Sequence, residues 1–351
     1  MRQAIVTGPG EIDFCDLDEP IAGNGQVRIR IQRIGICGSD IHVFHGKHPF
    51  VTYPLVQGHE YAGVIDQLGE GVTGIKIGNN VTATPQETCG GCPPCSRGQY
   101  NACETLKVRG FQAPGCAQEY FLTEADKVIV LPDTFEPDQG AFVEPVAVAV
   151  HATGLAGNLT GKNVVVSGAG TIGNFIGQAC KCLGAAKVLI ADISEYRLQV
   201  ASEVGIDAVC NVTEESLEYA AKGFFGEAGY DIAVEVAGVE DSLDALVASI
   251  GKGGTLVLVG VFGERPSVDM SVVCEHELNL KGSMMYLRED FEKAAQWIAS
   301  GHIQTEPLIS KHFTFEDFSS AYDYLEEEGE NALKVIIDVD RKKSKLGSSD
   351  S

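Results

Sequence analysis

A glycine-rich turn between two apolar segments constrains the fold of this chain more than any other feature. The run Asn163–Ser167 is apolar and of β type, residues 168–173 read Gly-Ala-Gly-Thr-Ile-Gly, and a helical pattern follows from Asn174 to Leu183. A second apolar run, Lys187–Ala191, ends in Asp192. An isolated G-x-G-x-x-G is a weak signal, but the succession of strand, turn, helix, strand and acid is the setting in which it binds a dinucleotide.

The same turn supplies the predicted cofactor residues. Its glycines allow backbone N–H groups to approach a pyrophosphate at the start of the helix. Asp192 follows Gly173 by nineteen residues. A carboxylate there can bind the adenosine ribose and would repel a 2′-phosphate, so we predict NAD rather than NADP. Arg197 is the one nearby cation, and we interpret it as a solvated helix residue or as a neighbour of the adenine. The predicted cofactor-binding residues are Gly168, Gly170, Thr171, Ile172, Gly173, Asp192 and Arg197.

Strand and helix patterns alternate along the second half of the chain. Before about residue 130 the signal is β with turns, because Val27, Ile29 and Ile31 alternate with polar residues. From residue 163 onward we predict six strands separated by amphipathic segments, which implies one doubly wound parallel sheet. These strands are predicted at 163–167, 187–191, 207–210, 231–235, 254–259 and 279–283; helical stretches are predicted at 198–204, 243–250, 290–300 and 315–328, and a last strand at 333–339.

A second motif carries metal-ligand chemistry. The segment Gly35–His42 contains Cys37, and it is followed by Gly58-His59-Glu60 and by a lone Glu144-Pro145. Thiolate, imidazole and carboxylate are the ligands of a zinc site that keeps one position open for substrate. Cys37 or His59 alone would more readily be an ordinary buried residue. Together with the other two motifs they predict a Lewis acid with proton-moving groups, the hydroxyl of Ser39 and the imidazole of His42, beside it.

Four closely spaced cysteines form the third motif. The run reads Cys-Gly-Gly-Cys-Pro-Pro-Cys over residues 89–95, and Cys103 follows eight positions later. Four thiols in a loop of Gly and Pro can close tetrahedrally around one ion, which predicts a structural zinc. An iron–sulfur cluster or disulfides are the alternatives. The ferredoxin pattern places its fourth cysteine after three residues, whereas seven intervene here.

Charge and hydropathy narrow the class of protein. The chain has 351 residues, which favours two domains, and a formal net charge of −23 with a pI near 4.6. A chain this acidic has few basic groups to neutralise phosphates, which excludes nucleic acid as a partner. Five acidic residues among the first twenty and the lack of a long uncharged apolar run predict neither a signal peptide nor a membrane span. We expect a cytoplasmic protein whose eleven cysteines stay reduced, which disfavours disulfides.

On these motifs the chain resembles the zinc-dependent medium-chain dehydrogenases/reductases from Met1 to about Val339. Glu144-Pro145, in place of a third cysteine, is similar to the polyol (sorbitol-type) and threonine dehydrogenases. The resemblance implies that Ser39 and His42 relay protons and that Asp40 orients the histidine ligand. It also implies two zinc ions per chain, a catalytic one held by Cys37, His59, Glu60 and Glu144 and a structural one held by Cys89, Cys92, Cys95 and Cys103.

The resemblance further implies an α/β architecture in which a GroES-like, β-rich catalytic domain is joined to a Rossmann domain with a doubly wound parallel sheet. We place the catalytic domain at 1–147, with its structural zinc lobe at about 85–110, the NAD-binding domain at 148–284, and a return to the catalytic domain at 285–340. Residues 341–351 have no core-forming pattern and are predicted to be a disordered tail. A homodimer or homotetramer is implied.

The expected substrate is a small polyhydroxylated molecule, a polyol or a sugar acid. The loop His45–Phe50 places polar groups after the relay, and Phe44–Tyr53 resembles sugar-acid (galactonate-type) oxidoreductases. Sorbitol dehydrogenases have Arg-Tyr where this chain has Met285-Tyr286, which disfavours sorbitol itself. The predicted substrate contacts are Phe44, Lys47 and Tyr286.

Other functions remain open at this level. L-Threonine 3-dehydrogenase and a 2,3-butanediol-type secondary alcohol dehydrogenase are the alternatives within the same resemblance. A zinc-free quinone or enone reductase would lack both metal sets, which this chain has. A non-catalytic protein on the same fold would have no use for an intact Ser39–His42 relay.

Overall fold

The computed structural model describes residues 1–340, which form two large sheets, two two-stranded sheets and eleven α-helices. The predicted tail at 341–351 lies outside the described residues. Within residues 1–340, no helix has the length and apolarity needed to cross a membrane. The strands are β1 (Arg2–Gly8), β2 (Glu11–Asp16), β3 (Gln26–Gly35), β4 (Glu60–Leu68), β5 (Asn80–Ala83), β6 (Gln86–Glu87), β7 (Lys107–Val108), β8 (Tyr120–Glu124), β9 (Val128–Val130), β10 (Asn163–Ser167), β11 (Lys187–Asp192), β12 (Ala208–Asn211), β13 (Ile232–Glu235), β14 (Thr255–Leu258), β15 (Asn279–Gly282), β16 (Ile309–Thr314) and β17 (Lys334–Asp338).

The helices occupy the segments between these strands. In the second half of the chain most of them follow the amphipathic segments predicted from the sequence, and residues 315–317 of the last predicted helix form a 3₁₀ turn before α11 begins. The helices are α1 (Gly38–Phe44), α2 (Pro93–Ser96), α3 (Pro137–Ala141), α4 (Val143–Ala156), α5 (Thr171–Cys182), α6 (Glu195–Glu203), α7 (Leu217–Phe225), α8 (Glu240–Ser249), α9 (Met270–Glu275), α10 (Arg288–Ala299) and α11 (Phe318–Glu328).

The chain divides into two compact units. Of the described residues, the first comprises Met1–Glu144, Ile309–Gly329 and residues 334–340, and the second comprises Pro145–Leu308 and Glu330–Leu333. The chain thus returns to the first unit at Ile309, later than the predicted position 285.

Specific hydrogen bonds explain why residues 285–308 stay with the second unit. Gln178 in α5 exchanges two hydrogen bonds with the backbone of Gln304, at 2.7 and 3.2 Å. The ring Nδ1 of His151 in α4 lies 2.8 Å from a carboxylate oxygen of Asp290 in α10. These contacts attach α10 and the segment after it to helices of the second unit, whereas the return at 285 was expected from the family resemblance.

The second unit is built on a six-stranded sheet with the order β12-β11-β10-β13-β14-β15. All of its strand pairs are parallel. Val164, Val165 and Val166 in β10 are fully buried, as expected for a strand covered on both faces. Each of the six predicted strands lies within one residue of its observed bounds. The order reverses between β10 and β13, and ligands of such sheets bind beyond the strand ends at this switch point.

The first unit contains a seven-stranded sheet that centres on β3. β3 pairs antiparallel with β4 along one edge, and with β8 and then β17 along the other. Its alternate residues Val27, Ile29 and Ile31 are buried, which matches the predicted alternation. Because β17 pairs with the last three residues of β3, the C-terminal strand lies beside the segment that leads into the metal-ligand motif.

A charge network around the buried Arg33 joins the returning strands to β3. The Nε of Arg33, a residue that is 5% exposed, lies 2.9 Å from Asp138 Oδ1 and 2.9 Å from Asp338 Oδ1, and its Nη1 lies 2.5 Å from Asp340. The Nδ1 of His312 lies 2.9 Å from Asp338 Oδ1, and its Nε2 lies 3.5 Å from Asp138 Oδ2. Asp138, His312 and Asp338 have the side chains of a metal site, but the Arg33 guanidinium already supplies the cation.

We expect this network to make stability depend on pH through His312. The hydrogen bond to Asp338 and the charge of Asp138 outweigh partial burial and raise the pKa of His312. The protonated ring therefore stabilises the fold fully below its unfolded pKa of about 6.5, and this contribution is lost as pH rises through the higher folded pKa. His312→Gln should cost up to about 1 kcal/mol at pH 5.5 and much less at pH 9, because the side chain is partly exposed.

Denaturant unfolding of both proteins at the two pH values measures this difference. His302→Gln, at an exposed position in the second unit, is the matched control. An equal loss of stability at pH 5.5 and pH 9 would contradict the electrostatic explanation and indicate a packing effect.

Candidate functional site

Pairing of two neighbouring strands brings three of the candidate zinc ligands together. β3 ends at Gly35, β4 begins at Glu60, and these two residues lie opposite each other in the antiparallel register. Cys37, two residues beyond β3, is the N-cap of α1. One ligand atom each from Cys37, His59 and Glu60 lies within 4.8 Å of the others. The arrangement of these three residues can hold a metal ion.

Gly35 is a steric requirement of this cluster. A Cβ on Gly35 would overlap Oε2 of Glu60 and crowd its Cβ and carboxyl carbon. Gly38, in the first turn of α1, has no such neighbour within 4 Å. The glycine at the end of β3 therefore makes room for the buried carboxylate, whereas the glycine that follows Cys37 does not serve this purpose.

The electrostatics around His59 favour a cation. Burial by itself lowers the pKa of His59, but Asp40, Cys37 and Glu144 outweigh it and raise this pKa well above its usual value. Burial raises the pKa of Asp40, and the His59 charge opposes that shift. The Nδ1 of His59 and Oδ1 of Asp40 lie 3.7 Å apart, and neither atom has a hydrogen-bond partner within residues 1–340. Sulfur, nitrogen and carboxylate donors in a negatively charged, largely buried setting fit Zn²⁺.

Asp40 is placed to organise this cluster. It is 2% exposed and accepts a hydrogen bond from the backbone N–H of Cys37 at 3.0 Å, so it fixes the start of α1. The same carboxylate is near His59, which is the relation predicted for a residue that orients a histidine ligand.

Lys334 is a functional candidate that the sequence analysis missed. Its side chain is 4% exposed, and its Nζ lies 2.5 Å from Glu60 Oε2 and donates to the carbonyl of Ile36 at 3.0 Å. Glu60 and Cys37 raise the pKa of Lys334 against the effect of burial. Lys334 thus balances the charge of one candidate metal ligand. The sequence does show a lysine at the start of an apolar strand, which is an unusual place for a charge. Its partner Glu60 is 274 residues away, so the sequence did not indicate the pairing.

The remaining residues of the predicted catalytic set lie on two helices, α1 and α4. Glu144, in the first turn of α4, is 5% exposed, and its charge acts on both His59 and Lys334. Among the described residues, the three-residue group that could hold a metal does not include it. Ser39 and His42 both lie on α1, Ser39 partly buried and His42 exposed. Direct metal binding by Glu144 and proton relay by Ser39 and His42 stay predictions.

The four cysteines predicted to bind structural zinc also come together. The ligand atoms of Cys89, Cys92, Cys95 and Cys103 lie within 4.8 Å of one another. Cys103 Sγ is 3.6 Å from Cys89 Sγ and 3.9 Å from Cys92 Sγ, far beyond the ~2.05 Å of a disulfide. Sulfur atoms about 3.8 Å apart are what a tetrahedron with Zn–S bonds of about 2.3 Å requires. Backbone N–H groups of Gly91 and Cys92 lower the pKa of Cys89 to about 6, which favours the thiolate.

The glycine-rich turn has the conformation that a dinucleotide needs. Gly168 adopts a φ of +109°, and a Cβ there would meet the backbone of Ala237. A Cβ on Gly173 would overlap the carbonyl oxygen of Gly168, so this glycine lets α5 pack against the turn. Gly170 caps α5 without a side-chain acceptor, which leaves first-turn N–H groups for an anion. Thr171 and Ile172 form the first turn of α5.

Asp192 lies at the end of β11 beside this turn. Its Oδ2 accepts from the backbone N–H of Ala169 at 2.5 Å, and its Oδ1 accepts from Ser194 N at 2.8 Å. Each carboxylate oxygen can accept further hydrogen bonds, so ribose hydroxyls can bind there as well. Arg197 lies in the first turns of α6, where its backbone N–H is capped by Ser194 Oγ. Its contact with adenine stays a prediction.

Two of the three predicted substrate contacts lie in hydrophobic cores. Phe44 is 8% exposed and packs on Tyr322 in the first unit, with ring centroids 4.6 Å apart. Tyr286 is fully buried and packs edge-on against Phe291 in the second unit. Both rings are buried by packing between helices, and their role in substrate binding stays a prediction. Lys47 is exposed at the end of the α1 segment and stays a candidate.

Family models match both halves of the chain. Residues 23–133 match the alcohol dehydrogenase GroES-like domain, and residues 171–300 match the zinc-binding dehydrogenase domain. The first match contains Cys37, His59, Glu60 and the four-cysteine lobe, and the second begins at Thr171, within the dinucleotide turn.

Similar curated proteins are dehydrogenases of small hydroxylated molecules. The chain is 33% identical to an L-threonine 3-dehydrogenase of Shewanella baltica, over 88% of this chain and 92% of that protein. It is 34% identical to a 2-dehydro-3-deoxy-L-galactonate 5-dehydrogenase of Pseudoalteromonas atlantica, over 85% of this chain and 87% of that protein.

Solved structures match nearly the whole chain, each with a TM-score of 0.89. An alcohol dehydrogenase of Escherichia coli complexed with NADH is 30% identical, over 97% of this chain and 99% of that one. A zinc-binding dehydrogenase of Sinorhizobium meliloti bound to NADP is 28% identical, over 96% and 99%. Galactitol-1-phosphate dehydrogenase of E. coli is 29% identical, over 97% and 100%.

Gly35→Ala should displace Glu60 and lower the metal content of the three-residue cluster. The added methyl group cannot fit without moving the carboxylate, an overpacking cost of about 1–3 kcal/mol. Metal analysis of purified protein should show a loss of up to one zinc per chain, while Gly38→Ala, the matched control, keeps its metal. Equal metal content in the two variants would contradict the proposed crowding.

Cys89→Ser should destabilise the four-cysteine lobe, because a closed metal site contributes folding energy. We expect the Tm to fall by at least about 3 °C and one zinc per chain to be lost. Cys274→Ser is the control, since Cys274 is exposed and lies outside the lobe. An unchanged Tm with unchanged zinc content would argue against a structural zinc site.

Proposed function

Because the chain belongs to the family of zinc-binding alcohol dehydrogenases, of the polyol and sugar-acid type, we propose that it oxidises a secondary alcohol of a polyol or sugar acid with NAD⁺ as hydride acceptor. The observation that carries this proposal is the buried cluster of Cys37, His59 and Glu60, whose ligand atoms lie within 4.8 Å of one another. Ser39 and His42 follow on the helix that Cys37 caps. The combination supports a metal centre with proton-transfer groups beside it.

Each residue of the centre has a proposed role. A zinc ion held by Cys37, His59 and Glu60 supplies a Lewis acid that lowers the pKa of an alcohol hydroxyl. Asp40 holds His59 in orientation, and Ser39 takes up the hydroxyl proton and passes it towards His42, whose exposure suits release to solvent. Glu144 adds negative charge at the same place, either as a direct ligand or through water.

The cofactor assignment rests on the turn at 168–173 and on Asp192. The open first turn of α5 suits a pyrophosphate, and the carboxylate beside it suits unmodified ribose hydroxyls. Similar structures contain NADH in one case and NADP in another, so the fold by itself allows both. A negative charge at Asp192 disfavours a 2′-phosphate, and we therefore propose NAD.

The substrate class is supported by relatives that act on sugar-derived hydroxyl compounds. L-Threonine is the second candidate, because threonine dehydrogenases are as similar in sequence, at 33% against 34% identity. We also propose that the protein is a homodimer or homotetramer and that it is cytoplasmic.

A kinetic panel with NAD⁺ and NADP⁺ tests this function. The panel contains sorbitol, xylitol, aldonates, inositols, 2,3-butanediol, L-threonine and ethanol. We expect turnover of a polyol or aldonate with NAD⁺, loss of turnover when the metal is stripped, and recovery with zinc. Cys37→Ala should reduce kcat by on the order of a thousandfold or more while NAD⁺ still binds, and Cys15→Ala is the matched control.

Several outcomes would contradict the proposal in different ways. Full activity of a confirmed metal-free enzyme would exclude the Lewis-acid mechanism. A preference for NADP⁺ would overturn the role given to Asp192. Preference for threonine would select the second candidate, and preference for ethanol would exclude the whole substrate class.

A further inference from the structure

An aromatic stack connects the metal centre to the loop that follows α1. The ring of Phe111 packs against His59, with centroids 4.9 Å apart and an interplanar angle of 44°. The same ring stacks on His48, with centroids 5.0 Å apart and an angle of 12°. Phe111 therefore lies in contact with one imidazole that belongs to the candidate metal site and with a second imidazole that does not.

This stack limits how far the ring of His48 can lie from the ring of His59. With centroid separations of 5.0 and 4.9 Å, the rings of His48 and His59 are no more than about 10 Å apart. Among the described residues, the group of possible metal ligands that contains His59 does not include His48. A chain of several hydroxylated carbons that places one hydroxyl at the metal can extend another polar group this far.

A backbone hydrogen bond selects the tautomer of His48. The N–H of Phe50 donates to Nδ1 of His48 at 3.3 Å, so a neutral ring carries its proton on Nε2. Burial and the nearby charge of His42 lower the pKa of His48, which keeps the ring neutral at physiological pH. Within the described part of the chain, Nε2 has no hydrogen-bond partner. His48 thus offers one N–H donor of fixed orientation.

The loops that contain these rings are joined by Gln112. Its Nε2 donates to the carbonyl of Phe50 at 3.1 Å, and its Oε1 accepts from the N–H of Val108 at 3.0 Å. The segment that holds His48 and the segment that holds Phe111 are therefore tied together by a side chain as well as by the stack. Such support gives a binding group a defined position before substrate arrives.

We propose that His48 determines substrate specificity by donating a hydrogen bond from Nε2 to a hydroxyl or carboxylate oxygen of the substrate away from the carbon that is oxidised. This inference rests on the proposed function, since it concerns the same centre and the same reaction. It identifies the recognised substrate as one with at least two polar groups, the reacting hydroxyl and a second oxygen. A simple secondary alkanol lacks the second group and gains nothing from His48.

The chemistry explains why the donor is an imidazole held by a ring stack. A hydroxyl or a carboxylate oxygen can accept from Nε2–H, and a neutral donor binds either without the strong hydration that an exposed lysine must lose. Neighbouring Lys47 is exposed and could attract a carboxylate by charge, which is the rival explanation for selectivity at this loop. Variants of the two adjacent residues separate these possibilities.

His48→Phe is the decisive variant, because phenylalanine keeps a ring to stack on Phe111 but has no N–H donor. Zinc-loaded wild type, His48→Phe and Lys47→Met are compared with the best polyol or aldonate of the kinetic panel and with 2-butanol. We expect His48→Phe to raise KM for the polyhydroxylated substrate about tenfold, with kcat less affected, and to leave kcat/KM for 2-butanol within about twofold. Lys47→Met tests the rival explanation, because it removes the charge of Lys47 and keeps the N–H donor of His48.

The selectivity ratio and the Tm together decide between the explanations. An equal loss of kcat/KM on both substrates, or a lower Tm in His48→Phe, would overturn the inference in favour of a structural role. A change in selectivity in Lys47→Met alone would overturn it in favour of charge attraction. If wild type oxidises the panel substrate and His48→Phe keeps the wild-type preference for it over 2-butanol, the inference about His48 is wrong and the proposed function stands. If wild type oxidises no polyhydroxylated compound, the inference and the proposed function are both wrong.

Discussion

The antiparallel pairing of β3 with β4 is the interaction on which the rest of the site depends. Its register places the last residue of β3 opposite the first residue of β4, and the metal-ligand residues lie immediately beyond that pair. A shift of one residue would turn the side chains of one strand to the other face and separate Cys37 from His59 and Glu60. The buried residues of β3, which pack in the core of the first unit, therefore hold the metal centre in place as well as stabilise the sheet.

Buried charge is the second constraint, because each ion removed from water must find a partner. Glu60 is paired with Lys334, Asp40 accepts from the backbone of Cys37, and His59 lies among several negative groups. A divalent cation would complete this set by adding the positive charge that the thiolate and carboxylates lack. The site is thus better understood as an electrostatic unit that includes a C-terminal lysine than as a list of ligands.

Much of this arrangement could be predicted from local patterns, and the remainder depends on contacts between distant residues. The strands of the second unit were predicted within one residue, because a buried parallel strand is a short apolar run bounded by turns. The zinc and dinucleotide motifs were recognisable because their residues are close in sequence. Other features depend on packing between elements that are far apart in the chain, and a single sequence does not predict such contacts. They are the pairing of Lys334 with Glu60, the return at Ile309 and the burial of Phe44 and Tyr286.

The position of β17 has a consequence for synthesis. The strand pairs with the last three residues of β3, and its Lys334 donates to a carbonyl 298 residues earlier. A nascent chain therefore exposes the end of β3 as an open sheet edge, with Glu60 lacking its counter-charge, until β17 has left the ribosome. The continuous second unit, Pro145–Leu308 apart from four late residues, can fold during that delay. The metal centre belongs to the part of the molecule that is made first and completed last.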